Sequence, residues 1–206
     1  MQTFFERTTG ASDSWQPHWL LSYNRNAQSS QVIVYGLVLI LITIYSFKLI
    51  ALPMEQAANT FIHNINLPIH ETGHLVFMPF GDFLHFLGGT LGQILMPLLI
   101  MLAFLVKYRD SFSAAMMFWW VGENFIDIAP YINDARTRRL FLVGGGRHDW
   151  AWLLGRLNML QYDHTIAIAS YTLGIILMIT ALLWAIVVLI QQIRWRQMRK
   201  HTMMNA

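Results

Sequence analysis

From Ile166 to Ile190 the chain carries no charged side chain. A stretch that long and that apolar has one inexpensive conformation in hydrocarbon. It is a helix, which satisfies its own backbone N–H and C=O groups and needs roughly twenty residues to cross. Val32–Leu52 has the same character, with Lys48 near enough to its end to snorkel and Pro53 placed to stop it. Phe83–Val106 and 111–132 are also long enough, but carry His85, Gln93 and Pro97 in the first and Glu123, Asn124 and Asp127 in the second. Charged residues make up 12% of the 206, about half of the roughly one quarter usual in soluble domains. The chain reads as all-α and polytopic: an integral membrane bundle with about four to six membrane-embedded helices.

Residues 1–31 read as a polar N-terminal tail, 32–192 as the embedded domain and 193–206 as a basic C-terminal tail. The first apolar run begins after about thirty polar residues and is too long for a signal peptide, so it is expected to stay as an anchor. Cysteine is absent, which removes disulfides, thiolate nucleophiles and Cys-based zinc sites. The net charge of +3 comes from Lys and Arg at segment ends and in "RWRQMRKH". That is the pattern of membrane flanks, so the expected partner is the lipid bilayer and not nucleic acid. The basic tail points to the cytoplasm and to a multi-pass protein of a bacterial cytoplasmic membrane. Arg136, Arg138, Arg139, Arg147 and Arg156 occupy the loop before the last span, which a single crossing puts opposite that tail. A dip of residues 140–160 back into the membrane would reconcile the two.

Within this oily chain stands "NLPIHETGHLVFMPF", residues 66–80. A helix is expected from about Leu67, with Asn66 as its cap, Pro68 in the first turn and a stop near Pro79 and Gly81. On such a helix His70 and His74 lie one turn apart on the same face, where two imidazoles can share one zinc ion. Glu71, one position on, can take a proton from a water held there, which is the chemistry of HExxH metallohydrolases. Ionisable groups at membrane depth are costly and usually functional.

A catalytic zinc needs a third protein ligand and an open position. Four candidates stand downstream: Asp127, Asp134, His148 and Asp149. Helical geometry puts Glu123, Asp127, Tyr131 and Asp134 on one face, a polar stripe suited to a protein interior or a wet cavity. In "GGGRHDW" the glycines allow sharp turns, His148 is the better ligand type, and Asp149 could orient it or cap the next helix. Asp127 and Asp134 are favoured over His148 because an embedded helix needs no loop to fold inward. Gly88, Gly89 and Gly92 suggest close helix packing, Gln93 an interhelical hydrogen bond, and "WW" and "WAW" membrane interfaces. His63 and His85 read as interfacial.

An HExGH on an embedded helix, a Gly-rich apolar segment, and a later helix with Asn, Pro and Asp together resemble the site-2 protease family of intramembrane zinc metallopeptidases. The resemblance covers roughly residues 60 to 140, with Asn124, Pro130 and Asp134 the nearest matches to the family's second motif. It implies a zinc cofactor, a ligand role for Asp134, and hydrolysis of peptide bonds within or beside a membrane-spanning protein substrate. Here Asp134 is followed by Ala where the family has Gly, and the Asn-to-Pro spacing is longer, so Asp127 and His148 stay open as ligands. The expected function is a membrane-embedded zinc metallopeptidase with Glu71 as general base. The alternatives are a lipid or amide hydrolase, a non-catalytic zinc-binding scaffold, and an ion or proton transporter using Glu123 and Asp127.

Overall fold

The computed structural model describes residues 20–21, 29–140 and 147–204. Most of the 1–31 tail, the end of the basic tail and the glycines of "GGGRHDW" lie outside the described residues. Within them the chain is all-helical: α1 (Ser29–Ala51), α2 (His63–Phe77), α3 (Asp82–Ala103), α4 (Ser111–Asn133), α5 (Asp149–Arg156) and α6 (Asp163–Met204), joined by short 3-10 and π turns.

α4 is the axis of the bundle. Its crossing with α6 rests on small residues: a Cβ on Gly122 would lie 2.8 Å from the Met178 backbone nitrogen, and one on Gly174 2.6 Å from the Gly122 carbonyl oxygen. Ala115, Ala181 and Ala185, all buried, continue that seam. Close backbone approach of this kind is how helices pack where no hydrophobic driving force separates them from lipid. α1 joins the same pair: Tyr35 stacks on Phe112 at 4.1 Å, and Leu49 packs with Trp119, Ile126 and Met178. These contacts set α1 parallel to α4 and antiparallel to α6.

After Pro53 the chain turns back into the bundle. Ala57 is fully buried beside Trp119 and Ile126, so residues 53–62 re-enter from the same end at which α1 leaves. α2 then runs out again, and α3 returns along it.

Three helical stretches, Ser30–Ala51, Asp82–Tyr108 and Leu160–Met198, are long and apolar enough to cross a membrane. That is fewer than the four to six expected. α2 and α5 are too short, and α4 is diluted by Glu123, Asp127 and its Ser, Gly and Asn residues. The tryptophan pair also departs from expectation. Trp119 donates to Ser46 Oγ at 2.8 Å and Trp120 to Asn66 Oδ1 at 2.9 Å, so both indoles bond inside the bundle, where buried N–H groups need partners.

Candidate metal centre

The α2–α3 hairpin supplies the histidines. α2 starts at His63 rather than near Leu67, and Asn66 lies inside it without acting as a cap. The Asn66 amide instead donates to Glu123 Oε2 at 2.9 Å and Asp127 Oδ2 at 3.0 Å. Pro68 therefore falls within the helix. At the far end Met78–Phe80 tightens into a 3-10 turn, and Gly81, at φ 96°, adopts a conformation that glycine alone takes freely. α3 folds back against α2 with almost no gap. A Cβ on Gly88 would sit 2.7 Å from the Gly73 carbonyl oxygen, and one on Gly92 2.9 Å from Gly73 Cα. A Cβ on Gly89 would overlap the His70 ring itself. The glycines thus serve packing, and the space they leave is filled by a candidate ligand.

Each imidazole is then oriented through its Nδ1. Gln93 Nε2 donates to Asn124 Oδ1 at 3.2 Å and Asp127 Oδ2 at 3.1 Å. Gln93 Oε1 is left to accept from His70 Nδ1 at 2.7 Å. His74 Nδ1 lies 2.7 Å from the His85 carbonyl oxygen, an acceptor only. Both Nδ1 atoms must therefore carry the proton, which leaves both Nε2 atoms bare unless the rings are cationic. This is the outer support that metal-binding histidines need.

Both Nε2 atoms point at one carboxylate oxygen. Asp149 Oδ2 lies 3.2 Å from His70 Nε2 and 3.2 Å from His74 Nε2. The three donor atoms fall within 4.8 Å of one another. Three lone-pair donors at this range could hold a metal ion between them. The site's own chemistry thus fits a metal ion of the kind that His and Asp bind.

Asp149 is held there from α4. Its backbone N–H donates to Tyr131 Oη at 2.9 Å, and Tyr131 Oη donates back to Asp149 Oδ2 at 3.1 Å. Trp152, on the same short helix, stacks on Phe86 of α3 at 4.3 Å, which pins α5 to the hairpin. Residues 149–156 thus return to the bundle, although as one short helix.

Burial pushes the Asp149 carboxyl up, but with the rings cationic His70 and His74 donate to it through Nε2, and these bonds and charges outweigh burial and hold the group at about 2. Burial pulls the His74 imidazole down, while the Asp149 bond, the His85 carbonyl and the Asp149 and Glu71 charges raise it, with a net rise. Glu71 is exposed, and its charge acts on both His74 and Tyr131.

The other candidates are brought elsewhere. Asp127 Oδ1 pairs with His63 Nδ1 at 2.8 Å, and its Oδ2 accepts from Asn66 and Gln93. It reaches His70 only through Gln93. Asp134 caps α4 and accepts from the Thr137 hydroxyl and from the Arg139 and Leu140 backbone N–H groups at 2.9 Å each. His148 caps α5 with Nδ1, which accepts from Ala151 N at 3.2 Å. Its Nε2 faces Asp134 at 3.5 Å. The structure thus joins His70 and His74 to Asp149, the last of the four downstream candidates, and leaves Asp127, Asp134 and His148 outside the group.

The interhelical hydrogen bond expected of Gln93 is present, to Asn124 and Asp127, and the same amide also accepts from His70; the parts played by His85, Tyr131 and Asn66 were not foreseen from the residues. The signal for Gln93 was positional: it is an amide one turn after Gly89 in the middle of a largely apolar helix. No protein-family model, curated protein or solved structure matches this chain.

Proposed function

We propose that this chain is a membrane-embedded zinc hydrolase of the HExxH type, acting as a peptidase on peptide bonds in or beside the membrane. The observation that carries the reading is the convergence of the two bare Nε2 atoms on Asp149 Oδ2, with Glu71 next in sequence and on the exposed side. Three apolar helices long enough to span support the membrane setting. His70, His74 and Asp149 would hold the ion and leave the fourth position open toward Glu71. Bound there, zinc would supply Lewis-acid polarisation and lower the pKa of a coordinated water from about 15.7 to about 7.

Every other role falls to the chain itself. Gln93 and the His85 carbonyl hold a proton on each Nδ1 and so aim each Nε2 at the ion position. Tyr131 fixes the Asp149 carboxylate and keeps an O–H beside the reacting region. Glu71 accepts a proton from the attacking water and returns it to the leaving amine, a general base and then a general acid. Helical substrate backbone is shielded by its own hydrogen bonds, so a substrate must unwind locally before its carbonyl can be reached.

The test is Glu71→Gln in full-length protein purified in detergent, scored for bound zinc by elemental analysis and for cleavage of fluorogenic transmembrane peptides. One zinc per chain is expected to remain while turnover falls by about 10²- to 10⁴-fold. Unchanged turnover would remove Glu71 from the chemistry and overturn the HExxH reading, and absence of turnover in wild type would reduce the centre to a structural metal clasp.

A further inference from the structure

Asp127 stands outside the His70–His74–Asp149 group, yet a chain of hydrogen bonds through it leaves α2 and returns to α2. The chain starts at His63 Nδ1, 2.8 Å from Asp127 Oδ1 on α4. Asp127 Oδ2 accepts from Gln93 Nε2 on α3 at 3.1 Å. Gln93 Oε1 then lies 2.7 Å from His70 Nδ1, about two turns along α2 from His63. An amide can be turned over, so the direction of such a chain needs a reference that cannot turn. Trp120 supplies two. Its carbonyl oxygen only accepts, and it takes Asn124 Nδ2 at 2.9 Å. Its indole N–H only donates, to Asn66 Oδ1 at 2.9 Å. The first bond leaves Asn124 Oδ1 facing Gln93 at 3.2 Å. The second aims Asn66 Nδ2 at Asp127 Oδ2, 3.0 Å away.

The Gln93 amide thus meets two fixed acceptors. Were it reversed, its oxygen would face the Asn124 and Asp127 oxygens, and its N–H would donate to His70 Nδ1. The His70 proton would then sit on Nε2, beside Asp149 Oδ2, and the lone pair that faces the ion position would be lost. Of the two acceptors, Asp127 offers a carboxylate, which accepts more strongly than an amide oxygen. It is also held through both oxygens, by His63 on one and Asn66 on the other, so it cannot rotate to follow a turned amide. Asn66, Gln93, Asn124 and Asp127 are all buried, which keeps bulk water from standing in for a missing acceptor. We propose that Asp127 is a positioning residue of the metal centre: by accepting from Gln93 it sets which way that amide points, and thereby which nitrogen of His70 is left for a metal ion. This rests on the metal reading of the histidine centre and is indifferent to whether the protein is a peptidase.

The experiment uses full-length protein in detergent, with zinc affinity measured by competition against a chromophoric chelator. Asp127→Leu removes the acceptor and should weaken zinc by about 10- to 100-fold. Asp127→Asn keeps an acceptor oxygen for Gln93 and can turn its own N–H group to His63, so it should stay within about threefold of wild type. Added to Gln93→Leu, Asp127→Leu should cost nothing more, because the two residues act in series. Equal losses in Asp127→Leu and Asp127→Asn, or additive losses in the double variant, would overturn the assignment. The proton itself is read by isotope-edited NMR of the histidine ring nitrogens in metal-free protein, at a pH high enough for neutral imidazoles. The His70 signals are identified by their loss in His70→Gln. Wild type should carry the His70 proton on Nδ1, and Asp127→Leu should carry it on Nε2. This readout needs neither zinc nor turnover, so it separates the assignment from the peptidase reading. Asp127→Ala serves the same comparisons if Asp127→Leu does not fold. A wild-type proton on Nε2, or one tautomer shared by wild type and the variants that lack the acceptor, would also overturn it.

Discussion

Asp134 and Asp149 sit at the same end of the bundle and are buried alike, each 7% exposed. Their surroundings differ completely. Asp134 spends its oxygens on its own neighbourhood, the Thr137 hydroxyl and the N–H groups of Arg139 and Leu140. Burial raises its carboxyl, and those donors bring it below the ordinary carboxylate range. Asp149 Oδ2 faces two imidazole nitrogens and one phenol, all from other helices. The first carboxylate closes a loop. The second has an oxygen left for a ligand. Burial alone does not mark a metal ligand; what counts is whether the nearest partners are the chain's own backbone donors.

Substitution of these two residues should separate them most widely. Asp149→Ala is expected to abolish stoichiometric zinc in elemental analysis. Asp134→Ala should keep zinc and cost roughly 1–3 kcal/mol in unfolding free energy, because backbone donors lose their acceptor. The reverse pattern would break the contrast. Next in size is Gln93→Leu, which removes the acceptor that fixes the His70 tautomer. Zinc affinity by competition with a chromophoric chelator should drop by about 10- to 100-fold.

Gly89→Ala places a methyl group against the His70 ring and should destabilise the fold by about 1–3 kcal/mol while weakening zinc. Gly155→Ala has open space around the new Cβ, so its zinc binding should match wild type. The smallest effect concerns His63. Its hydrogen bond with Asp127 raises the imidazole pKa against the opposing pull of burial. A raised folded-state pKa stabilises fully below about pH 6.5, the unfolded value, and the contribution disappears as pH climbs through the folded value. His63→Gln should therefore narrow the stability gap to wild type on going from pH 6 to pH 9, by at most about 1 kcal/mol. A gap that widens with pH would contradict the pairing.

Much of the helical framework is readable in the residues. Apolar length foretold α1, α3 and the middle of α6, and Pro53 and Gly81 foretold where α1 and the α2–α3 turn end. Asn66 misled, because a residue typical of a cap found stronger partners in Glu123 and Asp127 and was drawn into the helix interior. Asp127 and Asp134 misled for a related reason. Their place on the polar face of α4 was evident, but a face does not say which partners already occupy it.

The spacing of His70 and His74 by itself determined that two imidazoles share one face, because helical periodicity is a local property of the backbone. Which acid meets them was settled only by tertiary structure. Asp149 lies 79 residues beyond His70, and it arrives through the packing of α5 on Phe86 and the grip of Tyr131. The direction of each ring was likewise a matter of the fold, since the Gln93 amide and the His85 carbonyl reach the imidazoles only because Gly73, Gly88 and Gly92 let two helices touch. Contacts between separate helices depend on how rigid bodies pack, and no periodicity within one helix encodes that.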